Sequence, residues 1–322
     1  MSVHKRKPQR LVKVKSRAQY NALHRLDSFI NGNEKKLVRF LVRTWNDQQA
    51  AITYKELREA IQVGTLTQET FQAWQNDYVS FFNTYLRGTL ASATTAGGKE
   101  LVAAMLSGKD VYTPMLTGID NWISVHGAEW ITQMSDEAKE AVSSMIQYSA
   151  KGNLTVDELA RVIRPTIGLT EQQSLANVTF YEKVKERVKT QLLEQNPNMK
   201  ESTAEKQAAK RAQDSALRYA SRQHRERAQM IAQTELAYAY NKGADDAIHQ
   251  CVNAGLMPRM KKVWSTAADE GVCGTCSALD GVTVELDDNF NYNGRSFYEG
   301  QKQTPPAHPR CRCALCYMEA DD

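Results

Sequence analysis

Two short stretches, Cys273-Gly274-Thr275-Cys276 and His308-Pro309-Arg310-Cys311, set the pattern of residues 260–322. Each stretch, which we call a knuckle, holds two sulfur or nitrogen donors three positions apart, so that a tight turn points both donors to one side. The two knuckles together offer four donors, the number that tetrahedral zinc prefers. Residues 277–307 must then fold back between them as a hairpin or a long loop.

Further cysteines compete for the four positions of this predicted site, because Cys313 and Cys316 follow Cys311 closely. In an extended strand Cys311 and Cys313 share a face, whereas Cys316 points to the other. The predicted zinc ligands are Cys273, Cys276, His308 and Cys311, with Cys313 as the alternative to Cys311. Buried free thiols are the competing interpretation, since cysteine is common in protein cores. A disulfide framework is not expected, because a chain of 322 residues can bury a core without crosslinks and shows no secretory signal.

The composition is typical of a soluble protein with room for two domains, since 42% of the residues are hydrophobic and 24% are charged. A net charge of +4 argues against a protein that is strongly basic as a whole. Residues 4–17 nevertheless hold seven Lys and Arg residues and no acidic one, which predicts a disordered basic arm over residues 1–17. Such an arm either contacts DNA phosphates or an acidic protein surface through residues 5–17, or is a solvated tail.

No apolar run is long enough for a membrane helix, and residues 1–17 lack the apolar centre of a signal peptide. We therefore expect a protein without a membrane segment that is made in a reducing cytoplasm, where metal-bound thiolates are favoured over disulfides.

Helical spacing of apolar residues extends over most of the first 253 residues. One stripe consists of Leu37, Phe40, Leu41 and Trp45, and a second of Phe71, Trp74, Tyr78, Phe81 and Tyr85. Capping-box sequences begin at Thr65, Thr155 and Thr170, where helices should start. We expect breaks at residues 94–99 and 106–118, where glycines cluster, and a new helix that starts at Ser135.

The sequence predicts one long helix over residues 202–253. Its first half carries alanine at every fourth position from Ala204 to Ala220, and each such step turns an ideal helix by about 40°. We therefore expect these alanines to wind around an exposed or bridging helix. The more apolar second half holds Glu235 and Asn241, which we expect to anchor the knuckle loops by hydrogen bonds to backbone, with a catalytic pocket as the alternative.

Alternating hydrophobicity after Pro258 predicts a short antiparallel sheet, with strands at Met260–Trp264, Val282–Val284 and Arg312–Met318. The predicted fold class is mainly α, with a multi-helix N-terminal and middle region followed by a small zinc-stapled α+β C-terminal module. The predicted regions are the arm at 1–17, a helical N-terminal region at 18–133, a helical middle with the long helix at 134–253 and a zinc-knuckle β module at 254–322.

Several motifs of the C-terminal half occur together in one known family. They are Arg227-Ala228, Ile231-Ala232-Gln233-Thr234-Glu235, Asn241-Lys242-Gly243, Trp264, Asp269, Leu279-Asp280-Gly281 and, most specifically, Pro305-Pro306-Ala307-His308-Pro309-Arg310-Cys311-Arg312-Cys313. With these motifs, residues 134–318 resemble the phage head morphogenesis family, the Mu F-like minor head proteins of tailed bacteriophages. Gln233 stands where the family usually has arginine, so a salt bridge of the family at that position is not expected here.

The resemblance implies a minor head (capsid) protein of the virion that acts in head morphogenesis and in genome packaging or delivery. It implies a place in the interior of the head near the portal vertex, with the portal protein and other capsid or scaffolding proteins as partners. No reaction is implied, so we expect a protein that is not an enzyme and is made in the host cytoplasm.

The alternative function is that of a zinc-dependent nucleic-acid-binding protein or enzyme. A zinc deaminase needs Glu two residues after its His or Cys ligand, and neither His249 nor Cys251 is followed by Glu at that spacing. A helix-turn-helix at residues 154–180 is disfavoured, because the helix from Thr170 opens with acidic and amide side chains.

Overall fold

The computed structural model describes residues 15–106, 116–148, 154–267, 269, 271–292 and 303–320. Its helices are α1 (Arg17–Ala51), α2 (Tyr54–Val63), α3 (Gln68–Phe81), α4 (Arg87–Met105), α5 (Leu116–Tyr148), α6 (Val156–Ile163), α7 (Glu171–Gln195), α8 (Glu201–Asn253) and α9 (Gly274–Leu279). A π-helical turn (Phe82–Leu86) joins α3 to α4, and a 3-10 turn (Arg164–Thr166) follows α6. The predicted arm, up to residue 14, and residues 107–115 of the predicted break lie outside the described residues.

The strands are β1 (Met260–Ser265), β2 (Thr283–Glu285) and β3 (Ala314–Glu319), in the order β2-β1-β3. Central strand β1 pairs antiparallel with both neighbours, so that Lys262 lies opposite Val284 on one side and Tyr317 on the other. The predicted fold class, mainly helical with a short antiparallel sheet at the C-terminal end, is confirmed. None of the helices in the described ranges combines the length and the apolar character needed to cross a membrane.

The chain packs into two compact units that are discontinuous in sequence. The sheet unit comprises Met1–Asn33, Leu90–Ile119 and Gln233–Asp322, and the helical unit comprises Glu34–Thr89 and Asp120–Ala232. These units divide the chain differently from the four predicted regions. One hydrophobic cluster of the sheet unit joins Trp264 and Phe290 to Ile248 of α8 and Val102 of α4, so residues 254–322 share their core with earlier helices.

Two glycines allow α4 and α8 to pack closely within the sheet unit. A Cβ atom at Gly97 would collide with the carbonyl oxygen of Tyr240, and one at Gly243 would collide with the carbonyl oxygen of Thr94. The predicted break at residues 94–99 is therefore wrong, because α4 continues through it. Gly97 in this stretch allows a close contact between two helices and does not form a loop.

Several helices of the helical unit begin at a residue whose side chain caps the helix. Capping boxes at Thr155 and Thr170 are present as predicted, and in each the threonine backbone N–H donates in return to the side chain three positions on. Helix α3 begins after Thr67, two residues later than the Thr65 box predicts. The predicted helix start at Ser135 is wrong: this residue lies inside α5, where its Oγ donates to the carbonyl oxygen of Ile131 at 2.7 Å.

The alanine stripe of α8 is buried, which corrects the expectation of an exposed or bridging helix. The exposed fraction is at most 1% for Ala204, Ala208, Ala212, Ala216 and Ala220. Helix α7 runs antiparallel to the stripe, with Lys189 paired to Glu201 at one end and Gln223 bonded to the backbone of Gln173 at the other. The small alanine side chains let α7 pack along the stripe as it winds around α8. The spacing of the alanines within α8 does not by itself predict this packing.

Candidate metal centre

The first knuckle lies at the start of α9. Cys273 is the N-cap of this helix, and its Sγ accepts a hydrogen bond from the backbone N–H of Cys276 at 3.3 Å. Because Cys276 falls in the first helical turn, three positions on, the two sulfur atoms face the same side. The short helix thus forms for a local reason and presents two of the four predicted ligands.

The second knuckle is a turn closed by a hydrogen bond from the backbone N–H of Cys311 to the carbonyl oxygen of His308 at 3.1 Å. Arg310 has a φ of 61°, which lets the chain reverse between these two donors. The Nδ1 atom of His308 lies 2.8 Å from the carbonyl oxygen of Pro309. That contact favours the tautomer with the proton on Nδ1 and leaves Nε2 free to bind a metal.

The structure brings all four predicted ligands and the alternative Cys313 into two overlapping groups. One group consists of Cys273, Cys276 and His308, and the other of Cys276, Cys311 and Cys313. Within each group the ligand atoms lie within 4.8 Å of one another. Cys276 belongs to both groups and therefore joins the two knuckles. Among the described residues, Cys251 and Cys316 belong to neither group.

Three distances among these atoms are close to those around a small tetrahedral metal ion, whereas Cys311 lies more than 4.8 Å from the donor atom of at least one of Cys273 and His308. A zinc site with Zn–S bonds of about 2.3 Å has S–S edges of about 3.8 Å and N–S edges of about 3.6 Å. The Sγ atoms of Cys276 and Cys311 lie 3.7 Å apart. The Nε2 atom of His308 lies 3.2 Å from Cys273 Sγ and 3.1 Å from Cys276 Sγ, so binding would require it to move by roughly half an ångström.

The thiols around Cys311 cannot all ionise readily without a cation. Hydrogen bonds from Cys276 and Cys313 hold the pKa of Cys311 well below its usual range, although burial opposes this. The hydrogen bonds with Cys311 and Cys313, together with burial, raise the pKa of Cys276. In this arrangement one thiolate accepts hydrogen bonds from two thiols. A divalent cation that binds there can displace the thiol protons and leave several thiolates.

Helix α8 holds the second knuckle through two polar side chains. The amide of Asn241 donates to the carbonyl oxygen of Cys313 and accepts from the backbone N–H of Leu315, both at 3.2 Å. Thr234 accepts from the backbone N–H of Arg310 at 3.0 Å. The predicted anchoring by Asn241 is therefore confirmed. Thr234 was not predicted as an anchor, although it lies within the Ile231–Glu235 motif quoted above.

Ion pairs connect the loops beside the site. Arg312 donates to the carboxylate of Asp269 at 2.5 Å, which ties the second knuckle to the loop before the first. Asp280, which follows α9, accepts from Lys15 at 2.5 Å and from the backbone of Thr266 at 3.0 Å. Burial opposes the ionisation of Asp280, but these hydrogen bonds outweigh it and lower the pKa of its carboxyl group.

Three aromatic rings pack in the same hydrophobic cluster as the buried thiols. The ring of Trp264 lies 5.1 Å from that of Phe290 and 6.0 Å from that of Tyr292, and all three residues belong to the same cluster as Cys276 and Cys311. The apolar surroundings of Cys276 and Cys311 limit the access of water to a metal on that side, whereas Cys273 and His308 are partly exposed.

Residues 154–316, just over half of the chain, match the family model of the phage Mu protein F like proteins. The chain belongs to this family. Within this phage Mu F-like chain the match begins twenty residues later than the resemblance at residues 134–318 predicts. No curated protein and no solved structure matches it.

Arg227, a motif residue of this phage Mu F-like protein, lies in the helical unit, apart from the donors. The buried guanidinium group of Arg227 donates to the carbonyl oxygen of Gly168 at 2.6 Å, forms an ion pair with Glu137 and lies 5.3 Å from the ring of Trp45. Gly168 has a φ of 90°, and a Cβ atom there would collide with the ring of Trp45. These residues fix a turn in the helical unit and have no part in the metal centre.

Proposed function

We propose that this chain is a minor head protein of a tailed bacteriophage that associates with the portal protein and acts in head morphogenesis and in genome packaging or delivery. The observation that carries the proposal is the family match over residues 154–316. The proposed location is the interior of the head near the portal vertex, with other capsid or scaffolding proteins as further partners. The proposal includes no enzymatic activity.

The donor chemistry supports a structural zinc within this proposal. Catalytic zinc usually has three protein ligands and an open position for water, whereas a structural site uses four protein ligands. Here the two donor groups offer five ligands, all of them cysteine or histidine. The proposed ligands are Cys273, Cys276, His308 and Cys311, with Cys313 as the alternative to Cys311. Bound there, zinc would crosslink the two knuckles and neutralise their thiolates.

Portal association can be tested by co-expressing the chain with the affinity-tagged portal protein of the same phage. Two variants sharpen the test. Cys276→Ser removes the donor common to both groups, whereas Cys251→Ser changes an equally buried thiol of the same cluster that belongs to neither. We expect the unchanged chain and Cys251→Ser to co-purify with the portal protein and Cys276→Ser to be lost.

Two results would count against the proposal. A folded, zinc-loaded chain that does not co-purify with the portal protein would remove the proposed partner. Co-purification of nucleic acid that depends on bound zinc, without the portal protein, would instead favour the alternative of a zinc-dependent nucleic-acid-binding protein or enzyme.

A further inference from the structure

The helical unit contains an open groove that the metal centre does not involve. It has a volume of about 800 Å³ and lies between the end of α1, helix α2 and the start of α3. Its floor includes the buried side chains of Ile52, Leu66 and Trp74, and Val63 on its edge is 77% exposed. An apolar floor that opens to solvent is typical of a surface that receives a side chain from another segment.

The rim of this groove is acidic. Among the residues that line it are Glu56, Glu59, Glu69 and Asp77, and the described lining includes no lysine or arginine. Lys55 lies 3.8 Å from Glu59 in an exposed pair. Burial raises the pKa of Asp77, and the charge of Asp47 adds to the rise, although a hydrogen bond with Gln48 opposes it. The groove therefore favours an occupant that carries positive charge.

The chain itself contains a segment of matching chemistry. Residues 4–17 hold seven basic residues and no acidic one, together with Leu11, Val12 and Val14. Residues 1–14 lie outside the described structure, and the chain enters it at Lys15, whose Nζ lies 2.5 Å from the carboxylate of Asp280 in the sheet unit. We propose that the groove of one copy binds the basic arm, residues 4–14, of a second copy, with the arm's leucine and valines on its floor and its cations at its rim.

A second copy is the source that the structure favours. The arm leaves from the sheet unit, whereas the groove belongs to the helical unit. The arm precedes α1 (Arg17–Ala51), and the groove lies at the other end of this helix, beside Ala51 and Ile52. A helix of 35 residues is about 50 Å long, whereas residues 4–14 span at most about 40 Å when fully extended, so they cannot lie along the groove of their own chain. An arm that enters the groove of the next copy makes a head-to-tail contact, which either closes into a ring or continues as an open chain. This inference does not depend on the metal or on the portal protein.

Sedimentation velocity over a range of concentrations tests the proposal with the full chain. We expect self-association that weakens as salt is raised. Removal of residues 2–14, or the pair of substitutions Glu59→Lys and Glu69→Lys, should abolish it. The matched control, Glu129→Lys with Glu186→Lys, makes the same charge change at exposed helical positions outside the groove and should leave it unchanged. Thermal unfolding of each variant shows whether it has folded.

Mixing two defective chains identifies the source of the arm. A chain without its arm and a chain with the altered groove should each remain monomeric alone and should form a dimer when mixed. A fluorescent peptide of residues 1–17 should bind the armless chain, and its affinity should fall about tenfold or more with the groove substitutions or when Leu11, Val12 and Val14 are replaced by serine.

Several outcomes would overturn the proposal. The full chain could stay monomeric at every concentration, the folded groove variant could associate as well as the control, or the serine-substituted peptide could bind equally well. A monomeric full chain that binds the peptide only after its own arm is removed would assign the arm to its own groove and exclude the second copy.

Discussion

Replacement of Cys276 by serine is the most direct perturbation of the metal centre, because this residue is the donor common to both groups. It is 2% exposed and lies 3.7 Å from the sulfur of Cys311. The substitution removes one ligand and leaves a hydroxyl group in an apolar core. Cys251→Ser also leaves a hydroxyl group in that core, at a residue that is 3% exposed, but removes no donor.

The two variants should differ by far more than the cost of a buried hydroxyl. A buried hydroxyl without a good partner costs about 1–3 kcal/mol, and this applies to both. Structural zinc contributes on the order of 10–16 kcal/mol, whereas a domain is only about 5–15 kcal/mol more stable than its unfolded chain. Loss of the metal should therefore unfold the sheet unit in Cys276→Ser, while Cys251→Ser should keep its fold and its metal.

Elemental analysis and hydrogen exchange measure the two consequences separately. We expect about one zinc per chain in the unchanged protein and in Cys251→Ser, and almost none in Cys276→Ser. In Cys276→Ser the amides of β1 and β3 should lose protection, as should those of residues 90–106 and 233–253, which share the same core. Helix α7 should stay protected. The reasoning is refuted if Cys276→Ser keeps full protection of β1 and β3 without metal, or if Cys251→Ser loses zinc as well.

Three further changes probe the surroundings. Asn241→Ala should cost about 2–4 kcal/mol in denaturant unfolding, because two buried backbone groups lose their partner; a cost below that of an exposed Asn→Ala change would contradict the anchor. In α4, Gly97→Ala should destabilise the sheet unit strongly, whereas Gly88→Ala, which has open space around it, should be neutral or stabilising by up to about 1 kcal/mol; equal melting temperatures would refute the close helix contact. Glu158→Gln keeps the capping box but removes the ion pair with Lys185. Burial raises the pKa of Glu158, but the contacts with Lys185 and Thr155 together outweigh it and lower that pKa. A lowered carboxyl pKa stabilises the fold at pH values above the unfolded pKa of about 4.5. The destabilisation by Glu158→Gln, on the order of 1 kcal/mol at pH 7, should therefore fade as the pH falls below that value and through the lower pKa of the folded state. Urea titrations at several pH values measure this, and a destabilisation that persists at low pH would contradict it.

Features that depend on neighbours in sequence could be predicted. The capping boxes at Thr155 and Thr170 are hydrogen bonds within one turn, and the knuckles are turns of four residues, so their residue types carry the signal. The strands followed from alternation over a few residues. The prediction of the donors rests on the same local spacing, and the structure brings them into two neighbouring groups. The choice between Cys311 and Cys313 stays open, because both thiols lie beside Cys276.

Features that depend on a distant neighbour could not be predicted. A glycine such as Gly97 is compatible with a loop and with a close helix contact, and only the backbone of Tyr240 decides between them. Ser135 can cap a helix or bond to the preceding turn, and its position inside α5 settles the choice. The alanines of α8 required α7 for their burial. In each case one residue type has two structural uses, and tertiary contact selects between them.

The donor cluster is positioned by the helices as much as by its own knuckles. Lys15 and Asp280, which form an ion pair, are 265 positions apart, and Asn241 and Thr234 of α8 hold the second knuckle more than seventy positions later. The cost of closing a loop grows only slowly with its length, so such separations are compatible with folding once the helices exist. The thiols then meet inside a cluster that already includes Val102 and Ile248. A metal that binds there stabilises α4 and the end of α8 together with the sheet, since all of them lose the same core when it leaves.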